Sequence, residues 1–245
     1  MYHFFARKEN ISEDHIVIDG TDVNHIKNVL RMKKGDEILI SDEDANDYSC
    51  EIEEFFEDAI RLKVRFVYEM GHELKSKIYL FQGLPKSDKM ELIIQKAVEL
   101  GAYQIIPVAT KRSIVKLDDK KEASKLKRWQ QISESAAKQS KRSIIPEITG
   151  VMSFEKAIAY AENMDVILMP YENAEGMEDT RKIIDGIKSG QSVAVFIGPE
   201  GGFDEGEVTL ATDNGAKAIT LGKRILRTET AGMSVLSILM YHVEE

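Results

Sequence analysis

The sequence predicts an α/β protein in which a mostly parallel sheet follows a small β-rich domain. Three observations carry this. Up to about residue 70, short β-branched runs are broken by Gly20, Gly35 and aspartate-rich turns. From Lys75 onward, apolar runs of strand length alternate with segments of helical period, the pattern of a parallel sheet flanked by helices. The chain has 245 residues and is 43% hydrophobic, enough for one larger core and a smaller one.

In the N-terminal part, residues 15–18, 37–40, 48–55 and 60–67 read as strands. Alternation from Ile60 to Phe66 sets an apolar face inward and Arg61, Lys63 and Arg65 outward. Residues 22–30 form a short helix with Val23, Ile26, Val29 and Leu30 on one side, and Gly71-His72 reads as a linker. The expected division is therefore 1-71 and 72-245.

In the C-terminal part, the first strand covers residues 78–81. Ser87 or Asp88 caps a helix whose apolar face is Met90, Ile93, Ile94, Ala97 and Val98, with Gly101 past its end. Residues 105–108 form the next strand, which Pro107 demotes to an edge or an end. A helix over 121–140 turns Leu126, Trp129, Ile132 and Ala136 inward, and Trp129 reads as packing. A short helix covers 154–160. Strands at 165–169, 192–197 and 217–220 alternate with helices at 178–187 and 205–214, the second opened by an Asp204/Glu207 capping box and ended by Gly215. Thr228 or Thr230 caps the last helix, 229–243, which is apolar nearly all round and suits a core or a subunit interface.

Composition excludes several classes. No stretch has the eighteen-odd apolar residues of a membrane helix, and the N-terminus lacks the order of a signal peptide. Cys50 is the single cysteine, so an internal disulfide and a cysteine-rich metal site are excluded, no metal is expected, and a reducing cytoplasm fits. The net charge of -9 argues against nucleic acid until its distribution is read. Residues 35–60 carry eleven acidic and no basic side chains, whereas residues 107–150 carry eleven basic against five acidic. The bland alternative is two solvated faces.

Parallel sheets bind ligands at the carboxyl ends of their strands. Three such ends stand out: 168–172, 196–203 and 221–231. In the second, Gly198-Pro199-Glu200-Gly201-Gly202 permits positive φ and close backbone approach. It lacks the spacing of a dinucleotide fingerprint and the lysine and hydroxyl of a P-loop. A tight turn without function is the competing reading. In the third, Arg224, Arg227 and Glu229 surround Ile225-Leu226 before an apolar helix. Charges there need a ligand, a partner or one another. The structural alternative is a salt bridge from Arg227 to Glu229 or Glu200.

Several stretches together resemble the bacterial family that methylates N3 of a uridine in 16S ribosomal RNA, within the knotted SPOUT superfamily. They are HIKNVLR at 25–31, KMELIIQKAVELG at 89–101, TKRS at 110–113, RW at 128–129, AAKQSKR at 136–142, GPEGG at 198–202 and LGKRILRTETA at 221–231. The resemblance implies a trefoil knot in an α/β methyltransferase domain, a PUA-like β-barrel RNA-binding domain before it, and an obligate homodimer. It implies S-adenosyl-L-methionine as cofactor, held by three loops. These supply Met169, Pro170 and Tyr171, then Ile197, Gly198, Pro199, Glu200, Gly201 and Gly202, then Leu221, Gly222, Arg224, Ile225, Leu226, Thr228 and Thr230. Tyr171-Glu172 stands where relatives vary.

On mechanism, methylation at C5 of a pyrimidine needs a thiolate, and Cys50 lies far from the loops in sequence, so nitrogen or oxygen is the better acceptor. Arg227 is expected to stabilise the negative charge on the base and Glu172 or Glu229 to take the proton. Arg7, Lys27, Arg31, Lys86, Lys89, Arg112, Lys138 and Arg142 are the expected contacts to 16S rRNA, free or in the small subunit. His25 beside them is weighed against the commoner structural histidine. Ribose 2′-O or a tRNA guanine as target, and a non-catalytic RNA-binding protein, are the alternatives.

Overall fold

The computed structural model describes residues 1–42, 44–68, 72–172, 174 and 176–244; Gly71, at the expected boundary, lies outside them. The described residues fall into two units, Met1–Glu73 with Ala137–Ile145, and Leu74–Ala136 with Pro146–Glu245.

The first unit is a five-stranded sheet in the order β1-β3-β4-β5-β2. Its strands are β1 (Tyr2–Phe5), β2 (His15–Asp19), β3 (Glu37–Ser41), β4 (Asp47–Phe55) and β5 (Ala59–Tyr68). Only β1 was not legible as a strand; it pairs parallel with β3. The alternation of β5 holds for Ile60 and Leu62, both fully buried, but fails at Phe66, which is exposed. The register slips where Ser49 pairs with Phe66 and Cys50 with Val64. Beyond this bulge Arg65, Phe66, Val67 and Tyr68 are all exposed, so the inward-facing stripe of β5 ends there. The expected helix over 22–30 is a short α1 (Thr21–Asn24) continued by a π turn (His25–Val29). Leu30 N–H reaches back five residues to the His25 carbonyl. The wider turn keeps Val23 and Ile26 buried but swings Val29 out to solvent.

The second unit is a parallel sheet in the order β12-β10-β11-β6-β7-β8, with β9 also on β7. The strands are β6 (Lys77–Gly83), β7 (Ala102–Ala109), β8 (Glu147–Ile148), β9 (Met152–Ser153), β10 (Val166–Pro170), β11 (Ser192–Ile197) and β12 (Lys217–Ile219). The helices are α2 (Lys89–Glu99), α3 (Asp119–Ser140), α4 (Phe154–Ala161), α5 (Met177–Asp185), α6 (Glu205–Asp213) and α7 (Thr228–Val243). The buried face of α2 is the expected five residues. Neither Ser87 nor Asp88 caps it through a side chain. Pro107 is not at an edge. It lies inside β7, opposite Gln82, in the gap between the pairing to β8 at Ile105 and to β9 at Val108. Its missing N–H therefore falls where no ladder bond is required.

The core of this unit is built on Phe81 and Phe196, stacked with centroids 4.3 Å apart. Phe154 and Phe203 close around them. The end of α3 belongs to the first unit. Lys141 takes φ +58 and Arg142 N–H bonds the Ala137 carbonyl at 3.0 Å, the geometry of a Schellman C-cap. No helix among the described residues is long and apolar enough to cross a membrane.

Candidate active site

Strand β10 lies between β11, which follows it, and β12, reached by a return past it. Chain leaving β10 and chain leaving β11 thus run opposite ways, and a crevice opens at such a reversal. The three sequence-predicted loops all leave the sheet here. They enclose a cleft of about 430 Å³.

The glycine turn is shaped by its neighbours. Gly202 N–H bonds the Pro199 carbonyl at 2.9 Å, and Gly202 has φ +65, a region a side chain disfavours. Phe203, buried in the core, anchors the turn. Beneath it, a Cβ on Gly83 would meet Pro199 Cδ at 2.7 Å. Nothing local in the sequence marks Gly83, because the residue that excludes a side chain there is far along the chain. Thr228 stitches three elements: its hydroxyl donates to the Gly198 carbonyl at 2.6 Å and accepts from Gln82 Nε2 at 2.9 Å. Neither Thr228 nor Thr230 caps α7 by its side chain; Arg227 occupies the N-cap position.

Of the expected cofactor residues, Pro170, Tyr171, Ile197, Gly198, Pro199, Glu200, Gly202, Leu221, Gly222, Arg224, Ile225, Leu226 and Thr228 line the cleft, with Glu172 and Arg227. Met169 does not: its side chain is fully buried in the core, because it points to the inner face of β10. Gly201 packs against Arg112 instead, where a Cβ would lie 3.2 Å from Arg112 Cβ. Thr230 and Glu229 are also outside the lining, while Lys89, Phe203, Thr220, Lys223 and Ala231 join it.

Neither Glu200 nor Glu229 forms a salt bridge with Arg227; both turn to Lys89. Lys89 Nζ sits 2.9 Å from Glu200 Oε1 and 3.4 Å from Glu229 Oε2. Lys86 N–H also donates to both Glu200 oxygens, at 3.2 Å each. Burial pushes the Glu200 carboxyl up, but the hydrogen bonds from Lys89, its own backbone and Lys86, with the Lys89 charge, hold it below the usual range. The same pairing, first through its hydrogen bond to Glu200, raises Lys89. Among the described residues, Lys223, Arg224 and Arg227 are exposed and make no ion pair.

The expected RNA contacts divide. Arg142 is buried and grips Glu73 through Nε at 2.8 Å and Nη2 at 2.6 Å, so it cannot reach a phosphate. Ser143 after it is buried too and donates to Asp47 at 2.9 Å. Lys138 bonds both oxygens of Asp22 at 3.0 Å. Lys27 bonds the Phe56 and Glu57 carbonyls, and Arg7 pairs with Asp19 at 2.5 Å and Glu9 at 2.6 Å. Arg112 donates to the Gly201 carbonyl at 3.0 Å while remaining exposed. Arg31, at φ +54, and Lys86 are exposed. His25 is exposed with its ring edge-on to Phe4. Cys50 lies fully buried in the first unit, where burial pushes its thiol up to about 12. It is unfit as a nucleophile.

Comparison with known proteins places the chain among RNA methyltransferases. A family model described as an RNA methyltransferase domain matches residues 72–240, and one described as an RNA methyltransferase PUA domain matches residues 18–64. The ribosomal RNA small subunit methyltransferase E of Bacillus subtilis is 39% identical over 230 residues, covering 93% of this chain and 90% of that protein. That of Mesomycoplasma hyopneumoniae is 34% identical over 97% of this chain and 98% of its own length. The crystal structure of ribosomal RNA small subunit methyltransferase E from Neisseria gonorrhoeae bound to S-adenosyl methionine superposes with a TM-score of 0.83 at 30% identity, covering 98% of this chain and 97% of that one.

Proposed function

We propose that this chain, which belongs to the RNA methyltransferase family of the ribosomal RNA small subunit methyltransferases E, methylates N3 of a uridine in 16S ribosomal RNA using S-adenosylmethionine. The observation that carries the reading is the three-loop cleft with Arg227 exposed in its wall and without an ion pair among the described residues. A binding module without catalysis has no need of such a cleft.

The cofactor fits the residues present. The volume lies in the range of small-molecule sites. Pro170, Leu221 and Leu226 offer apolar walls, and Glu172 and the ionised Glu200 suit a cationic sulfonium compound. Bound there, S-adenosylmethionine supplies an electrophilic methyl group. The chain's residues do the rest. The cleft walls orient the reacting atoms, which contributes much of the rate. As N3 of the uridine loses its proton, negative charge spreads onto the flanking carbonyl oxygens, and Arg227 stabilises it. Glu172, which lines the cleft, takes the proton, whereas Glu229 is engaged by Lys89. Lys86, Arg112 and Arg31 remain exposed for RNA phosphates.

The reading includes a homodimer. The 85% exposure of Tyr241 and 45% of Ile238 on α7 support it. It includes the trefoil knot, with which the strand order is consistent, and a cytoplasmic location.

The test is methyl transfer from labelled cofactor to 16S rRNA taken from cells lacking the activity, followed by nucleoside analysis. The expected product is 3-methyluridine, and its absence overturns the reading. Arg227→Ala is expected to lower kcat by roughly 10²–10³ with the fold intact; near-normal turnover removes Arg227 from the mechanism.

A further inference from the structure

Lys89, expected on the RNA face, lies instead at the edge of the cleft. It opens α2, yet its ammonium reaches across the cleft edge to two other elements: Glu200 of the glycine turn at 2.9 Å and Glu229 in the first turn of α7 at 3.4 Å. We infer that Lys89 is a positioning residue that captures Glu200 and Glu229, keeping both carboxylates off Arg227 so that its guanidinium stays free for the RNA. This rests on the role given to Arg227 above.

The local chemistry makes capture necessary. Guanidinium is a better bidentate partner for carboxylate than ammonium is. Glu229 follows Arg227 by two residues, and Glu200 lines the same cleft as Arg227. Left alone, either would be the natural mate of Arg227, and an ion-paired arginine has little charge left to offer a developing anion. Lys89 competes from a favourable position. Glu200 lies by the N-terminus of an eleven-residue helix, whose dipole favours negative charge. Glu200 has a further hold from Lys86 N–H. Glu229 has less. Its Oε2 is buried and, among the described residues, makes no hydrogen bond, so the Lys89 charge is what it faces. Its side chain is 15% exposed, so removing that cation leaves a poorly solvated carboxylate in search of another.

The test uses the full-length protein and compares Lys89→Gln, Lys89→Arg, Lys89→Gln/Glu229→Gln and Arg227→Ala. It measures single-turnover methyl transfer, cofactor affinity by calorimetric titration with S-adenosylmethionine, and thermal melting by circular dichroism. With cofactor saturating, Lys89→Gln is expected to slow methyl transfer about tenfold. Lys89→Arg, which retains the charge, is expected to stay within about threefold of wild type. Removing the released carboxylate in Lys89→Gln/Glu229→Gln should recover about threefold to tenfold over the single variant. A double variant no faster than Lys89→Gln, or loss of cofactor affinity as the main defect, overturns the inference. Full turnover by Arg227→Ala would instead sink the role of Arg227 itself.

Discussion

In the first unit, basic side chains hold the fold: Arg142 is buried on Glu73, Lys138 spans Asp22 and lies 5.6 Å over the Phe4 ring, and Lys27 ties down two carbonyls. Around the cleft, Lys223, Arg224 and Arg227 are exposed and have no ion-pair partner among the described residues, while Glu200 and Glu229 answer to Lys89. A count of lysines and arginines treats the two sets alike. What separates them is whether the chain has already supplied the anion. Charge left unpaired beside a cleft is available to a ligand; charge already paired within the fold is not.

The largest expected effect is at Arg142. Arg142→Met removes the cation and strands the Glu73 carboxylate, whose side chain is 11% exposed. Loss of one partner of a buried pair is expected to lower stability by about 3–5 kcal/mol. Urea unfolding measures this, and a change below about 1 kcal/mol would show that Arg142 is not a structural cation. The kinetic loss in Arg227→Ala is the counterpart, expected without loss of stability because that side chain is exposed.

A second test concerns the polar network of the first unit. Ser41 Oγ donates to Asp47, so the His3 Nε2–H donates to Ser41 Oγ at 2.7 Å. The His3 ring is buried in this network. Burial above all holds the His3 pKa down at about 4, against 6.5 for the free side chain. The unfolded chain therefore takes up the proton first as pH falls. Stability from neutral His3 is complete above about pH 6.5 and is lost progressively toward pH 4. The loss is roughly 3 kcal/mol. Urea midpoints measured at pH 7 and 4.5 should differ accordingly, and His3→Gln should flatten the difference; an equal slope in the variant would place the titration elsewhere.

Much of this was legible in the sequence where the signal is local. The apolar face of α2, the capping box at Asp204 and the three strand-end loops all follow from spacing over a few residues. The misses share one cause: they depend on residues far along the chain. Gly83 is required by Pro199, and the interior place of Pro107 depends on the gap between β8 and β9. The return of 137–145 to the first unit rests on Arg142 finding Glu73 and Ser143 finding Asp47. Lys89 has the composition of an RNA contact, and only its two carboxylate partners give it a different role. Local pattern reports which face is buried; it does not report which charge is already satisfied.

The smallest expected effect is also the most discriminating, because it separates paired from buried. Arg7 is paired with Asp19 and Glu9, like Arg142 with its glutamate, but its side chain is 59% exposed. Hydrogen bonds from Asn10 and Arg7 hold the Asp19 carboxyl below the usual range, yet the pair is bathed in water. Exposed ion pairs are worth about 0–1 kcal/mol. Arg7→Ala should therefore change the stability read from urea unfolding little, by less than about 0.5 kcal/mol. An exposed pair can also be exchanged for a phosphate, since water already covers most of what the exchange would uncover. Arg7→Ala should then weaken binding of 16S rRNA modestly and reduce its salt dependence by about one counterion. Filter binding across a salt series reads both quantities. An unchanged salt slope would place Arg7 with Lys138 and Arg142 as a purely structural cation.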